Sequence, residues 1–301
     1  MVDHTFGGEW TDEKLRALGK YLSAYRVIFT RNPKARYFKT IYIDAFAGTG
    51  SRKERTSDAA ERQTELFDGD EEFELEGFKD GSARIALSLE SPFDKYIFVD
   101  KNPEHVAELK AMISKDFPQL EPRCRVWEAD GCDVMRELCT THFTWEKERA
   151  VAFLDPYGMN VEWTLIERIG RTKAIDLWLL FPIGMGVNRL LKRDGTPNPI
   201  FAAKLSRMFG TDKWQDHFYR TEAAPADLFD DQRTITRKEA TFEGIGRFYL
   251  ERLATVFASV CPRFKLLYNT RGNPLYMLCF AASNPVGAKP AIEIAHYLLG
   301  K

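Results

Sequence analysis

The chain has 301 residues, 44% of them hydrophobic and 29% charged, with a formal net charge of -1. That length supports a large core within one α/β domain, and the near-zero charge excludes a protein that coats a polyanion by overall attraction, leaving only a local basic cleft for such a ligand. Cys124, Cys132, Cys139, Cys261 and Cys279 form no C-x-x-C pair, so no metal site is expected; with no signal peptide or long apolar run, the chain is expected to be soluble, cytoplasmic and without membrane contact.

From Thr11 to Phe29, Leu15, Leu18, Tyr21, Leu22, Tyr25 and Phe29 recur at helical spacing, with Thr11 as the expected N-cap. A first strand ends in Tyr42-Ile43-Asp44 and breaks into Ala45-Phe46-Ala47-Gly48-Thr49-Gly50. Residues 51–80 are acidic and poor in aliphatics, and read as an insertion before a helix that resumes at Gly81-Ser82 with Ser82 as N-cap. Strand two (Tyr96–Asp100), a helix around Pro103–Lys115, strand three (Arg125–Ala129) and a helix around Val134–Cys139 follow. Then come strand four (Ala150–Asp155), a helix around Trp163–Ile169 and strand five (Ile175–Phe181). Alternation at these lengths predicts a parallel sheet with helices on both faces. Helical patterns at Phe201–Tyr219 and Phe242–Ser259 give a helical insertion over 186–240. Phe264–Tyr268 and Leu275–Ala281 flank an Asn269-Thr270-Arg271-Gly272-Asn273 turn and predict a β-hairpin, before a last helix near Ala288–Leu299.

Four strands end in acids: Asp44, Asp100, Asp130 just past strand three, and Asp155. A strand that ends in an acid and small residues delivers backbone amides and a carboxylate to a ligand at the sheet edge. In this order the motifs resemble the S-adenosylmethionine (SAM)-dependent methyltransferases of the Rossmann-like class I. The resemblance implies a mostly parallel seven-stranded sheet with a C-terminal β-hairpin, in a single domain over 1–301. It also implies SAM as cofactor, held by Asp44, Phe46, Gly48, Gly50, Asp100, Lys101 and Asp130: the first turn on the methionine end, Asp100 on the ribose hydroxyls, Asp130 near the adenine amine. A carboxylate suits two hydroxyl donors and disfavours a 2′-phosphate.

The turn Asp155-Pro156-Tyr157-Gly158 can accept both hydrogens of an amino group through the Asp155 carboxylate and the Pro156 carbonyl, with Tyr157 as a stacking face. It resembles the Asp-Pro-Pro-Tyr motif of amino-methylating nucleic-acid enzymes and the Asp-Pro-Phe-Gly turn of tRNA guanine-N2 methyltransferases. It departs from the first in having Tyr157 where the second proline stands and Gly158 where the aromatic stands. Asp155, Pro156 and Tyr157 are the catalytic set this implies. Asn188 and Arg189, after strand five, are the substrate-binding candidates, with Lys192, Arg193, Lys204 and Arg207 extending a basic path.

The blocks Ile175–Pro182, Gly184–Leu191, Trp10–Lys14 with Tyr21-Leu22, Leu154–Trp163 and Asn284–Gly287 resemble the three-Cys-motif partner protein family (TcmP), from about Glu9 to Leu299. The family more often reads Asp-Gly-Phe-Ala-Gly-Pro-Gly where this chain has Asp44 to Gly50. That resemblance implies a partner, a small protein with three clustered cysteines, and a pairing with iron–sulfur or SAM chemistry. The expected function is SAM-dependent methyl transfer to an amino nitrogen of a nucleic acid or nucleotide-like acceptor. The alternative is a non-catalytic SAM-binding subunit that docks a radical-SAM-like or iron–sulfur protein.

Overall fold

Strands buried on both faces pack side by side in a parallel sheet, and the apolar runs of this chain do so. A computed structural model describes residues 9–49, 81–140, 145–156, 158–193, 197–223, 234–269 and 271–300. Gly50, Tyr157, Thr270 and the acidic insertion at 51–80 lie outside the described residues, as do the side chains of Trp10, Thr11 and Lys14. Strands β1 (Lys39–Asp44), β2 (Lys95–Asp100), β3 (Cys124–Glu128), β4 (Glu148–Leu154) and β5 (Ile175–Phe181) run parallel in the order β3-β2-β1-β4-β5. Next to β5 lies the antiparallel β10 (Pro274–Ala282), and beyond it the edge pieces β8 (Ser259–Val260) and β9 (Lys265–Tyr268). This is the Rossmann-like class I methyltransferase fold. The sheet counts eight strands rather than the seven expected. The edge strand is broken where its register slips by two residues around Pro262, which has no N–H for the ladder.

One face carries Ile41, Ile43, Ala152, Leu154, Leu177 and Leu179. It is covered by α4 (Gly131–Leu138), α5 (Trp163–Arg171), α6 (Pro199–Phe209) and α8 (Phe242–Ala254). The opposite face carries Tyr42, Val151, Phe153, Trp178 and Leu180 under α1 (Glu9–Arg31), α2 (Ser82–Leu87), α3 (Pro103–Asp116) and α9 (Ala288–Leu299). Tyr21 on α1 locks the second face, its ring 5.3 Å from Trp178 and 4.8 Å from Phe280.

Three sequence expectations need correction. Helix α1 already includes Glu9 and Trp10, so Thr11 lies inside it and is not its N-cap. Gly81, not Ser82, is the N-cap of α2: Ser82 is already its first helical residue, and its hydroxyl donates to Asp44. The insertion at 186–240 is not purely helical: after α6 and α7 (Trp214–Phe218) it forms a hairpin, β6 (Tyr219–Ala223) with β7 (Thr234–Lys238). Thr221 and Thr236 face each other there with hydroxyls 2.9 Å apart, a cross-strand pair that no Asn-Gly or Asp-Gly signal announces.

At the start of β5, Asp176 is half-buried, its carboxyl accepting from the Tyr21 hydroxyl at 3.2 Å and the Ser283 amide at 3.3 Å. Burial pushes its carboxyl up from 3.8 to about 7, against those two hydrogen bonds and the nearby Arg149. The folded protein therefore holds this proton more tightly than the unfolded chain. The stability it contributes is complete below pH 3.8 and is lost as pH rises through about 7. The thermal midpoint should fall from about pH 5 to about pH 8, and Asp176→Asn should flatten that fall. An unchanged slope in the variant, followed by circular dichroism, would show that the buried charge is not its source.

Candidate functional site

The parallel ladders bring the C-terminal ends of β3, β2, β1 and β4 to one edge, and their register sets the height of each acid. Asp44 pairs with Phe98 on β2 and with Phe153 on β4. Asp100 and Asp155 therefore stand two residues further along, roughly 6–7 Å above Asp44 at the usual rise per residue. Asp100 pairs with Glu128, so Asp130 lies two positions beyond it. The four acids make a stair, with Asp44 at the bottom and fully buried, Asp100 and Asp155 nearly so, and Asp130 exposed.

The turn after β1 is stitched to both neighbours. The Ala45 amide donates to the Phe153 carbonyl at 3.3 Å and the Ala47 amide to the Val99 carbonyl at 2.9 Å. Gly48 then adopts φ 60°, the left-handed region that favours glycine, and its amide donates to Asp100 Oδ2 at 3.0 Å. Gly131 closes the turn from the other side: a Cβ there would lie 1.9 Å from the Ala45 carbonyl oxygen, so only glycine lets α4 start against the turn. Half-buried Phe46 packs on the same core face.

Asp44 is not part of the exposed lining that the sequence assigned to a cofactor. It accepts from the Phe46 amide and the Tyr42 hydroxyl, each at 3.3 Å, and from the Ser82 hydroxyl. Burial pushes its carboxyl up to about 6, those three hydrogen bonds opposing and Asp155 adding to the rise. Asp44 thus ties the turn after β1 to the start of α2 from beneath the site. Its alternation with Tyr42 along β1 was visible in the sequence; its contact with Ser82 was not.

Asp100 is where the structure joins separate motifs. Besides Gly48, it accepts the Asn102 amide on Oδ1 at 2.8 Å, and His105 Nδ1 lies 3.3 Å from that same oxygen. No role was read for His105 in the sequence, because only the first turn of α3 brings it back over β2. Lys101 is exposed beside Asp100. Asp130 caps α4, its Oδ1 accepting the Cys132 and Asp133 amides at 2.9 and 3.2 Å.

Asp155 and Pro156 are buried at the end of β4. The chain then passes through Gly158 at φ 68° to Met159, which packs so tightly on Gly186 that a Cβ there would meet its Cγ at 2.6 Å. A cleft of about 380 Å³ opens beside this turn, lined by Asp130, Cys132, Met159, Glu162, Lys204 and Arg207 among others. It gathers two of the basic residues expected near the rim. Arg207 is 3.8 Å from Glu162, a loose and exposed ion pair. Asn188, expected to read substrate, also has a structural contact: Lys238 on β7 donates to its Oδ1 at 2.5 Å and to its carbonyl at 3.3 Å. Asn188 thereby fastens the β6–β7 hairpin to a π-helical turn, Ile183–Asn188, while its neighbour Arg189 is exposed.

No protein-family model matches the chain, and no curated protein does. Solved structures with a similar course include protein LPL1258 from Legionella pneumophila, a DUF519 protein, at 16% identity over 90% of this chain and 97% of that one, TM-score 0.40. Spermidine synthase from Thermotoga maritima aligns at 13% identity over 92% and 60% of the two chains, TM-score 0.38. The glycopeptide N-methyltransferase MtfA complexed with SAM aligns at 8% over 95% and 99%, TM-score 0.35. Likenesses at these scores add nothing to the fold read from strand order.

The packing at Gly131 makes a sharp prediction. Gly131→Ala should displace α4 from the turn and cost about 2 kcal/mol or more of stability, as overpacking against fixed backbone does. Gly158→Ala has open space around its Cβ and should cost about 1 kcal/mol from backbone conformation alone. Denaturant titration of the two variants checks the order; equal costs would contradict the close approach of α4.

Proposed function

We propose that this chain is a methyltransferase that uses SAM and methylates an amino nitrogen of a nucleic acid or nucleotide-like substrate. One contact carries the proposal: Asp100, the acid after strand two, holds the amide of Gly48 in the first turn. The two motifs that the resemblance treats separately are one rigid unit. The donor set fits the cofactor. The bare Gly48 backbone leaves room for close approach, and Asp100 keeps acceptor capacity for a ribose hydroxyl. Asp130 spends only Oδ1 on capping α4, which leaves Oδ2 for an adenine amine.

Bound there, the cofactor supplies an electrophilic methyl group. The residues of the chain do the rest. The Asp155 carboxylate and the Pro156 carbonyl hold the two hydrogens of the acceptor amine and so aim its lone pair, a positioning contribution. Asp155 is 2% exposed, which keeps competing water from its carboxylate, and it takes the proton that the amine sheds. Lys204 and Arg207, on the wall of the neighbouring cleft, supply phosphate contacts for a nucleic-acid acceptor. The resemblance of the motif blocks to the three-Cys-motif partner family extends the proposal to a partner protein with three clustered cysteines.

Calorimetry tests the cofactor. Wild type should bind SAM and its demethylated product, and Asp100→Ala should weaken both about ten- to hundredfold, the loss of hydrogen bonds to a charged acceptor. No binding by wild type overturns the reading. Asp155→Ala should abolish transfer of a tritiated methyl group in a screen of DNA, tRNA, rRNA and protein while leaving SAM affinity within a few-fold. Partner-dependent phenotypes that survive Asp155→Ala would instead favour the non-catalytic docking subunit. Nucleic-acid binding should weaken steeply with salt, and Lys204→Glu with Arg207→Glu should flatten that slope.

A further inference from the structure

The occupancy of Asp100 has a consequence for ligand entry. A carboxylate offers about four acceptor positions, two on each oxygen. Oδ2 uses one for Gly48 and has one left. Oδ1 uses one for the Asn102 amide, and the second is faced by His105 Nδ1 at 3.3 Å. A ribose diol engaging this acid with one hydroxyl on each oxygen finds Oδ2 open and Oδ1 contested.

The three groups around the carboxylate differ in what they can do. Gly48 and Asn102 contribute backbone amides, which cannot withdraw without moving the turn or the start of α3. His105 contributes a side chain that is 30% exposed and turns about two single bonds. Its Nδ1 is buried yet makes no hydrogen bond, so the short approach to Oδ1 is off-line. A buried nitrogen left without a hydrogen bond is itself unfavourable, so the ring is displaced more readily than either backbone amide. The approach is attractive only when Nδ1 carries a proton, since a nitrogen lone pair against an anionic oxygen would repel.

We infer that His105 is a positioning residue that guards Oδ1 of Asp100 and yields it to a ribose hydroxyl. This rests on the cofactor reading above and adds a gate to it. In the unliganded protein the ring screens one side of the carboxylate and stands with Nδ1–H toward it. On binding, the ring rotates away and the hydroxyl donates to Oδ1 in its place. His105 therefore lowers adenosyl affinity by exactly the work of displacing it, and no bond is made or broken.

Two variants and one spectrum test this with S-adenosylhomocysteine as the probe. His105→Phe keeps the ring volume but has no donor, and should bind the probe about three- to tenfold more tightly than wild type. His105→Asn keeps a nitrogen donor near the Nδ1 position and should bind like wild type. In nitrogen-15 spectra of the unliganded protein, His105 should show the Nδ1–H tautomer, and the probe should shift both ring nitrogens. Weaker binding by His105→Phe with normal binding by His105→Asn would overturn the gate and make His105 a support for Asp100. Equal affinities in all three proteins, or an Nε2–H tautomer, would overturn it as well. If wild type binds no probe, the cofactor reading falls and takes the gate with it. If wild type binds and the variants do not differ, the cofactor reading stands and only the gate is lost.

Discussion

The carboxylate of Asp100 sits where three separate pieces of chain must meet. It holds the Gly48 amide from the turn after β1, the Asn102 amide from the turn after β2, and the approach of His105 from α3. Hydrogen bonds from amides to an ionised acceptor are among the stronger ones in a protein, and here they are shielded from water. Without that acid the turn would still hold its bonds to Phe153, Val99 and Asp44, but the Gly48 amide would lose the acceptor it has at the end of β2. The geometry of the whole rim depends on it, because α4 rests on the same turn through the space that Gly131 leaves open.

Beneath that contact lies a second acid with a different purpose. Asp44 is two residues lower in the register and accepts from three donors, a hydroxyl from its own strand, an amide from the turn and a hydroxyl from α2, with the Asp155 carboxylate nearby opposing its charge. Removing a charge from water this completely is unfavourable, and burial with the nearby Asp155 pushes its carboxyl up to about 6 despite the three donors. Asp176, at the opposite edge of the sheet, carries the same kind of strain with Tyr21 and Ser283 as its donors. A sheet buried on both faces has few places for a carboxylate, and these two are tolerated because each ties a helix or a turn to a strand end.

The insertion between β5 and β10 shows how a rim can be assembled from distant chain. Lys238 reaches from β7 to the Asn188 side chain and carbonyl and to the Leu191 carbonyl, while Tyr219 from β6 donates to the Lys192 carbonyl at 3.0 Å. The segment that carries Arg189, Lys192 and Arg193 is thereby held by a hairpin as well as by Val187 and Leu191, which are buried in the core of the sheet. Burial lowers the proton affinity of the Lys238 amine, with Arg193 adding to the effect, so the fastening is made at some electrostatic cost. The cleft at the neighbouring turn draws Lys204 and Arg207 from α6, a helix of the same insertion, and Arg136 from α4.

Much of this molecule was legible in its sequence for a physical reason: strands buried on both faces must be continuous apolar runs, and β5 and the last helix match their expected bounds from Ile175 to Phe181 and from Ala288 to Leu299. The acids that end β1, β2 and β4, and Asp130 past β3, were equally visible, because each interrupts or follows such a run. The β6–β7 hairpin was not, since an exposed ribbon with no glycine turn leaves only a weak alternation of threonines among charges. The break of the edge strand at Pro262 was also hidden, as a proline in a strand end does not say how far the register will slip. Above all, composition and spacing could name Asp44 and Asp100 alike as ligand-facing acids, and Asn188 as a reader of substrate. Only the register of the parallel ladders put Asp44 two residues too low to be exposed. Only tertiary packing brought Gly48 to Asp100 and Lys238 to Asn188. Contacts across 50 residues depend on how helices and hairpins return over the sheet edge, and that information lies in no local pattern.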